Sequence, residues 1–316
     1  MTIHAAYACD QAYAVQTAVS MASLCENNRS EQIVLYLITD GIALESLNGI
    51  RTLVEQTYRQ KLEIIPIGQL IGHLAIDVQG RHPRTVYAKL FLEEVCPSDR
   101  ILYLDSDTIV AAPLAGLLSV CMEDAYIAGV KMPYTDKKKA GMGILPGIPY
   151  LCDGVLLLNL KKWRSDHMKD RCSEYIRSSL GHPPMLSEGT INYAAKGLVK
   201  VLPPEYNLMS GMLLWDAKQL AQLYRVSDYY TEDELLYARK HPVIVHYLNE
   251  LYIRPWYKNS DHPYRELYLA YCSRPGFDSM CKMRTGSIKV RTWMLRMLNR
   301  FLPFCIFQKI YHMVKG

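Results

Sequence analysis

The sequence predicts an α/β fold: a mostly parallel central sheet flanked by helices, extended at its C-terminal end by a basic amphipathic helical tail. Three observations predict it. Short apolar, β-prone runs alternate with helix-period segments over the first hundred residues, the spacing of a parallel sheet with crossover helices. Two of those runs end near an acid, Asp10 and Asp105, and open α/β sheets bind ligands outside the carboxyl ends of their strands. Charge is also segregated. Residues 279–316 hold eight Lys and Arg and no acid, whereas the whole chain carries +5, so the body before them is net −3.

The elements follow in order. Residues 3–9 alternate loosely and read as a first strand; residues 12–25 have helical periodicity, with Val15, Val19 and Ala22 on one face. Residues 32–39 form a second strand closed by Asp40-Gly41, 44–56 a helix, 61–67 a third strand, 84–95 a helix and 100–104 a fourth strand. A short helix at 113–120 and a strand at 125–130 come next. Residues 133–150 break the pattern with prolines, glycines and Lys137-Lys138-Lys139. A loop of that length beside the strand ends is a lid or substrate-binding element, or else a mobile surface excursion. Residues 154–160 read as an apolar strand, 161–180 and 190–196 as helices, and 243–246 as a short strand delivering His246 to a loop. The segment 251–278, rich in Tyr and Pro, wraps the body.

With 316 residues, half of them hydrophobic and 21% charged, the chain can bury a large core. It divides into one catalytic-sized domain, 1–278, and the tail, 279–316. The nine cysteines are scattered, odd in number and free of C-x-x-C spacing, so they read as reduced thiols of a cytosolic protein rather than as a disulfide framework or a zinc site. The first residues have no basic n-region, which argues against a signal peptide, and no run approaches the roughly 18 apolar residues of a spanning helix.

The most informative stretch is 101–110. An apolar strand runs into Asp105-Ser106-Asp107, and two carboxylates at a strand end suit a hard cation, Mg²⁺ or Mn²⁺, together with a phosphate-bearing substrate. Asp-Ser-Asp is also good turn chemistry.

Several segments in consistent order give this stretch a context. Tyr7-Ala8-Cys9-Asp10, Tyr87-Ala88-Lys89-Leu90, Tyr103-Leu104-Asp105-Ser106-Asp107, the run from Gly154 to Trp163-Arg164, and His246-Tyr247 followed by Arg254-Pro255-Trp256 resemble the family 8 retaining glycosyltransferases, in particular the bacterial lipooligosaccharide α-galactosyl- and α-glucosyltransferases. The resemblance runs from Ile3 to about Pro263. It implies a GT-A type nucleotide-sugar-binding fold, a UDP-sugar donor (UDP-galactose or UDP-glucose) and Mn²⁺ or Mg²⁺. It also implies that Asp105, Asp107 and His246 are metal ligands, that Ala8 and Asp10 line the uridine site, that Ser106, Ser187, Lys89 and Arg254 contact the donor, and that Glu188, Asp153 and Arg254 are catalytic.

Physical chemistry agrees with parts of this. An O/O/N donor set favours Mn²⁺ over Mg²⁺, because imidazole is the softer ligand. Arg254 stands where the galactosyltransferase branch has lysine and can grip a diphosphate bidentately. Lys89 either reaches the donor or snorkels along an apolar helix face. Asp10 either binds the base or caps the following helix. The family's D-Q-x-x-x-N is replaced by Ser187-Glu188-Gly189-Thr190-Ile191-Asn192, so Glu188 occupies the place near the anomeric carbon, as nucleophile or as electrostatic stabiliser, unless the pair serves only as helix cap. Cys152-Asp153-Gly154 departs from the usual N-A-G, and Asp153 either binds donor-sugar hydroxyls or ends a loop; Ala12 replaces a donor-contacting Asn.

In the tail, Lys289, Arg296 and Arg300 share a stripe with Thr292 and Asn299, and Val290, Met294, Met297, Leu298 and Phe301 cover the other side. That pattern fits an in-plane helix on an anionic membrane surface, or a helix docked on the body or on a dimer partner. Nucleic acid is a poorer partner, since the body is acidic. The resemblance thus implies a metal-dependent retaining transferase, and the basic tail adds the expectation that it is peripheral on the inner face of the plasma membrane. It would move galactose or glucose from a UDP-sugar to an oligosaccharide or lipid-linked glycan, in lipopolysaccharide or capsule assembly. The rivals are a catalytically silent binding subunit, which Ser187, Cys152 and Ala12 favour, and a nucleotidyltransferase, which the lack of a glycine-rich basic loop at 10–14 disfavours.

Overall fold

Period-two alternation in the first strand decides how the sheet is covered. In the computed structural model, which describes residues 2–72, 74, 83–274, 285–286 and 290–315, strand β1 (Thr2–Asp10) sends Ile3, Ala5, Tyr7 and Cys9 to one core and Ala6 and Ala8 to the other. Side chains alternate across a strand, so a doubly covered sheet needs apolar residues on both faces, and β1 has them without a break from Ala5 to Cys9.

The remaining strands of the main sheet are β2 (Gln32–Asp40), β3 (Lys61–Pro66), β4 (Arg100–Leu104), β6 (Ile127–Lys131), β7 (Leu151–Asn159) and β8 (Val199–Val201), in the order β3-β2-β1-β4-β7-β6-β8. All pairings are parallel except those of β7, which runs antiparallel to both β4 and β6. One face is covered by the helix Ala14–Asn27, the other by Arg84–Glu94, Leu160–Ser165, Met168–Ser178 and Leu186–Ala194. Trp163 is fully buried in that second layer and donates its indole N–H to Tyr126 O at 3.0 Å; burying one large apolar side chain contributes about 2–3 kcal/mol.

A second sheet of three short strands, β5 (Thr108–Val110), β10 (Ile244–His246) and β9 (Leu208–Met209), sits beside the carboxyl end of β4. It is absent from the sequence reading apart from β10, because strands of two or three residues carry no periodicity.

Several expectations are corrected. The segment expected as an α-helix at 84–95 winds instead as tighter 3-10 turns over Arg84–Glu94. The helix expected at 161–180 is two, broken at His167, whose φ of 53° is left-handed. The helix expected at 190–196 starts earlier, at Leu186, so Ser187 lies inside its first turn and is not its cap. The expected loop 133–150 contains the helix Asp136–Ala140, capped by Thr135, and packs a small core of Met142, Ile144 and Tyr150.

The tail forms two helices, Val290–Phe301 and Phe304–Lys315, docked on the body. Phe307 is fully buried and stacks on Trp215, whose indole donates to Asn299 Oδ1 at 2.8 Å; Leu295 is buried as well, and Arg296 pairs with Asp261. Asn299, expected on an outer polar stripe, therefore faces inward. The opposite side leaves Val290, Trp293, Met294, Phe301 and Ile306 exposed. Lys282, Arg284 and Lys289 lie outside the described residues, as do residues 275–278 of the Tyr/Pro-rich wrap. No described helix is long and apolar enough to cross a membrane.

Candidate active site

The two sheets meet at one point, and three acid and imidazole side chains converge there. β4 ends at Leu104; Asp105 and Asp107 occupy the turn into β5; and β10 pairs antiparallel with β5, His246 opposite Thr108. That register closes 139 residues of chain and sets His246 Nε2 3.2 Å from Asp107 Oδ1 and 4.0 Å from Asp105 Oδ2. One ligand atom from each of the three lies within 4.8 Å of the others. The far ring nitrogen, Nδ1, is 3.0 Å from Asn207 Oδ1. With that oxygen accepting the Nδ1 proton, the Nε2 lone pair is directed at the carboxylates, the arrangement that orients a metal-binding histidine.

A divalent cation fits these residues. The donor set is O/O/N, and the strand facing it provides space through Gly154, whose carbonyl accepts from Asp105 N at 2.7 Å. A Cβ at 154 would stand 2.7 Å from Asp105 Oδ2 and closer still to His246 Cε1. Without a cation the charges lean on one another. Burial opposes the His246 imidazolium, but Asp107 outweighs it and holds the His246 pKa well above its usual value. Burial raises Asp105, partly countered by Lys89, with Asp153 and Asp107 adding to the rise.

A second acidic group adjoins the first. Lys89, 2% exposed, reaches Asp153 Oδ2 at 2.9 Å and Asp105 Oδ1 at 3.4 Å, with Tyr103 OH 3.0 Å from the same Asp105 oxygen. The lysine does not snorkel: it joins the two carboxylate groups from inside, and they keep its pKa well above normal despite burial. Ser187 Oγ donates to Asp153 Oδ2 at 2.6 Å. Beside it Glu188 has its pKa raised to about 8 by burial and then by the charge of Asp153. Its Oε1 is buried without a hydrogen-bond partner among the described residues, next to the phenols of Tyr134 and Tyr150. The chain turns into this helix through two consecutive left-handed residues, Met185 (φ 59°) and Leu186 (φ 54°), and such strain gathers at functional sites. Gly189 is obligatory there, because a Cβ would collide with Pro184 O.

Arg254 completes the cluster: Nη2 lies 3.1 Å from Asp107 Oδ2, Tyr13 OH bonds the guanidinium, and the Trp256 ring is 5.2 Å away. At the other end of the edge, Asp10 caps the turn Gln11–Tyr13 by accepting from Ala12 N at 2.9 Å. Ser106 is turned inward, donating to Ala8 O at 3.4 Å and accepting from Thr17 Oγ1 at 2.7 Å, so its side chain fixes the turn. Asp105, Asp107, His246, Arg254, Lys89, Asp153, Ser187 and Glu188 thus share one cluster, with Ala8 and Asp10 on the flank. Sequence reasoning missed Asn207, Tyr13 and Tyr150. None has a local signature; each matters through a partner distant in the chain.

This geometry can be set beside known proteins. The profile of glycosyl transferase family 8 matches residues 4–260. The lipopolysaccharide 1,2-glucosyltransferase of Escherichia coli K12 is 26% identical over 281 residues, covering 84% of this chain and 76% of that protein. Glycosyltransferases GlyD and GlyE of Streptococcus pneumoniae are 26% and 25% identical over 82% and 84% of this chain, which spans only 29% and 59% of their lengths. Among solved structures, the galactosyltransferase LgtC, determined with donor and acceptor sugar analogues, superposes with a TM-score of 0.67 at 20% identity, covering 86% of this chain and 95% of that one. The bifunctional glycosyltransferase WbbM gives 0.71 at 16% identity over 90% and 52%. Those two likenesses establish the GT-A fold. With a family match spanning the cluster from Ala8 to Arg254, the chain belongs to glycosyl transferase family 8.

Proposed function

We propose that the protein transfers galactose or glucose from a UDP-sugar to a lipopolysaccharide or capsular glycan, with retention and with Mn²⁺ or Mg²⁺ at Asp105, Asp107 and His246. The observation that carries this reading is the convergence of those three side chains beside Arg254, Lys89, Asp153 and Glu188. When bound, the cation neutralises charge on a diphosphate leaving group. Arg254 is positioned to add hydrogen bonds to that group as negative charge develops on it. Asp153, held by Lys89 and Ser187, accepts from hydroxyls of the donor sugar. Glu188 faces the sugar and, once it has given up its proton, serves as nucleophile or as stabiliser of its developing positive charge.

A membrane role for the tail is part of the same proposal. The exposed Trp293, Phe301 and Ile306 lie on helices that also expose Arg300 and Lys309, the chemistry of an anionic lipid surface, which suits a cytoplasmic protein peripheral on the inner leaflet. UDP release from UDP-galactose or UDP-glucose, with and without Mn²⁺, tests the catalytic reading. Absence of both donor binding and turnover in either condition would overturn it.

A further inference from the structure

Arg254 owes its place to a loop with no regular structure of its own. The connection between β10 and the helix Arg265–Cys272 contains neither helix nor strand. An irregular segment keeps one path only where its peptide groups have fixed partners. Around Arg254 those partners come from the same loop. Ile253 N–H donates to Asp261 Oδ1 at 3.1 Å, Ile253 O accepts from Ser260 Oγ at 2.7 Å, and Arg254 O accepts from Tyr257 N at 3.2 Å.

Two of these partners are held in turn by the tail. The second carboxylate oxygen of Asp261, Oδ2, pairs with Arg296 of the helix Val290–Phe301. Ahead of that helix, Gly286 donates its N–H to Asn259 Oδ1 at 2.8 Å and accepts from Asn259 Nδ2 at 3.0 Å. Gly286 also lies against Tyr257, where a Cβ would come within 2.6 Å of Tyr257 Cγ, so the missing side chain is what allows the approach. The peptide groups on both sides of Arg254 are therefore one residue removed from a tail contact: Ile253 N–H through Asp261, Arg254 O through Tyr257. The helix that carries Arg296 is itself anchored on the body by buried Leu295 and by Asn299, which accepts from Trp215.

The guanidinium shows why this placement matters. Its Nε is buried without a hydrogen-bond partner among the described residues, whereas Nη2 lies 3.1 Å from Asp107 Oδ2. A buried N–H left unpaired is costly and calls for an acceptor. A diphosphate supplies one, but the planar fork of an arginine grips it only in the right direction. A misplacement of about 1 Å forfeits much of such an interaction.

Resting on the transferase reading, in which Arg254 faces the leaving diphosphate, we infer that Asn259, Asp261 and the tail residues Gly286 and Arg296 are positioning residues for Arg254. The tail completes the diphosphate clamp, and it does so without a membrane.

The test measures binding of UDP with Mn²⁺ to the full chain by calorimetry, in the absence of lipid; uridine, which has no phosphate, is the second probe. Arg254→Ala is expected to weaken UDP about thirtyfold and to leave uridine in place. Arg296→Ala and Asn259→Ala are each expected to weaken UDP about fivefold or more, with uridine again within about twofold of the wild type. On the Arg254→Ala background, Arg296→Ala should cost UDP less than about twofold more, because its effect passes through Arg254. A partly exposed ion pair adds little to global stability, so the melting curves of the Arg296 variant should scarcely move. Unchanged UDP binding by both Arg296→Ala and Asn259→Ala overturns the inference. So does a loss shared equally by uridine, or one that persists in full on the Arg254→Ala background. Failure of the wild type to bind UDP with or without Mn²⁺, or indifference of UDP to Arg254→Ala, instead overturns the transferase reading beneath it.

Discussion

Ser187 Oγ donates to Asp153 Oδ2 at 2.6 Å, joining the first turn of one helix to the leading end of β7. The two positions are so close that a carboxylate carried by either could occupy the place now held by Asp153 and fixed by Lys89 at 2.9 Å. Asp153→Ser is expected to lower sugar transfer about hundredfold, and Asp153→Ser combined with Ser187→Asp to regain most of that loss. Steady-state transfer by the two variants checks this. A double variant no better than the single one would mean that the position of the backbone at 153, not the carboxylate, is what counts.

Gly154 predicts a defect confined to the cation. Gly154→Ala places a methyl 2.7 Å from Asp105 Oδ2 and against His246, pushing two of the proposed ligands apart. The Mn²⁺ concentration for half-maximal activity should rise about tenfold or more, as for other changes that misorient ligands. A titration of activity against Mn²⁺, beside a melting curve, separates this from general unfolding.

Glu188 makes stability fall as the pH rises from acid to about 8. Its pKa of about 8 in the folded chain lies above the unfolded value, so the folded state retains a proton that the unfolded state has lost. The associated stabilisation is complete below about pH 4.5 and is gone once the pH passes 8. Glu188→Gln removes this dependence. Its melting temperature relative to wild type should therefore climb between pH 5 and 8 and level off above, as thermal melts across that range will show.

His262 works on the acid side. It is 3% exposed, packed against the rings of Tyr247 and Tyr252, and burial lowers its pKa to about 4. Here the unfolded state binds the proton first, so stability is full above about pH 6.5 and declines as the pH falls toward 4, by about 3 kcal/mol in all. His262→Phe removes an acceptor for Tyr264 N–H and should cost about 1–2 kcal/mol at pH 7, yet urea midpoints should fall less steeply with acid than in the wild type.

What could be read from the chain divides along physical lines. β1, β2, β4 and β10 were legible because each is an apolar run ending near an acid or histidine, and Asp105 and Asp107 because they occupy such an end; His246, Asp153 and Glu188 became candidates for the same cluster only through the family resemblance. The break at His167 was not legible, since a left-handed residue that is neither Gly nor Asn leaves no mark in composition. The start of the helix at Leu186 was misplaced for the same reason: its cap is Met185, which offers no side-chain acceptor. The segment 197–242 holds β8, β9 and three α-helices, and its short elements gave no period to read. Asn207 could be found only after folding had brought it to His246.

The reversal of β7 has a consequence for how such a protein can diversify. Every neighbouring parallel strand offers its last residues to the ligand edge, but β7 offers its first, Asp153 and Gly154. The connection entering β7, residues 132–150, therefore empties directly into the reaction chamber, whereas the segment leaving it at Asn159 departs on the remote side. Insertions and substitutions in the entering connection can reshape what reaches the Asp105–Asp107–His246 cluster while β1 to β3 stay untouched, so selectivity can change without rebuilding the cluster.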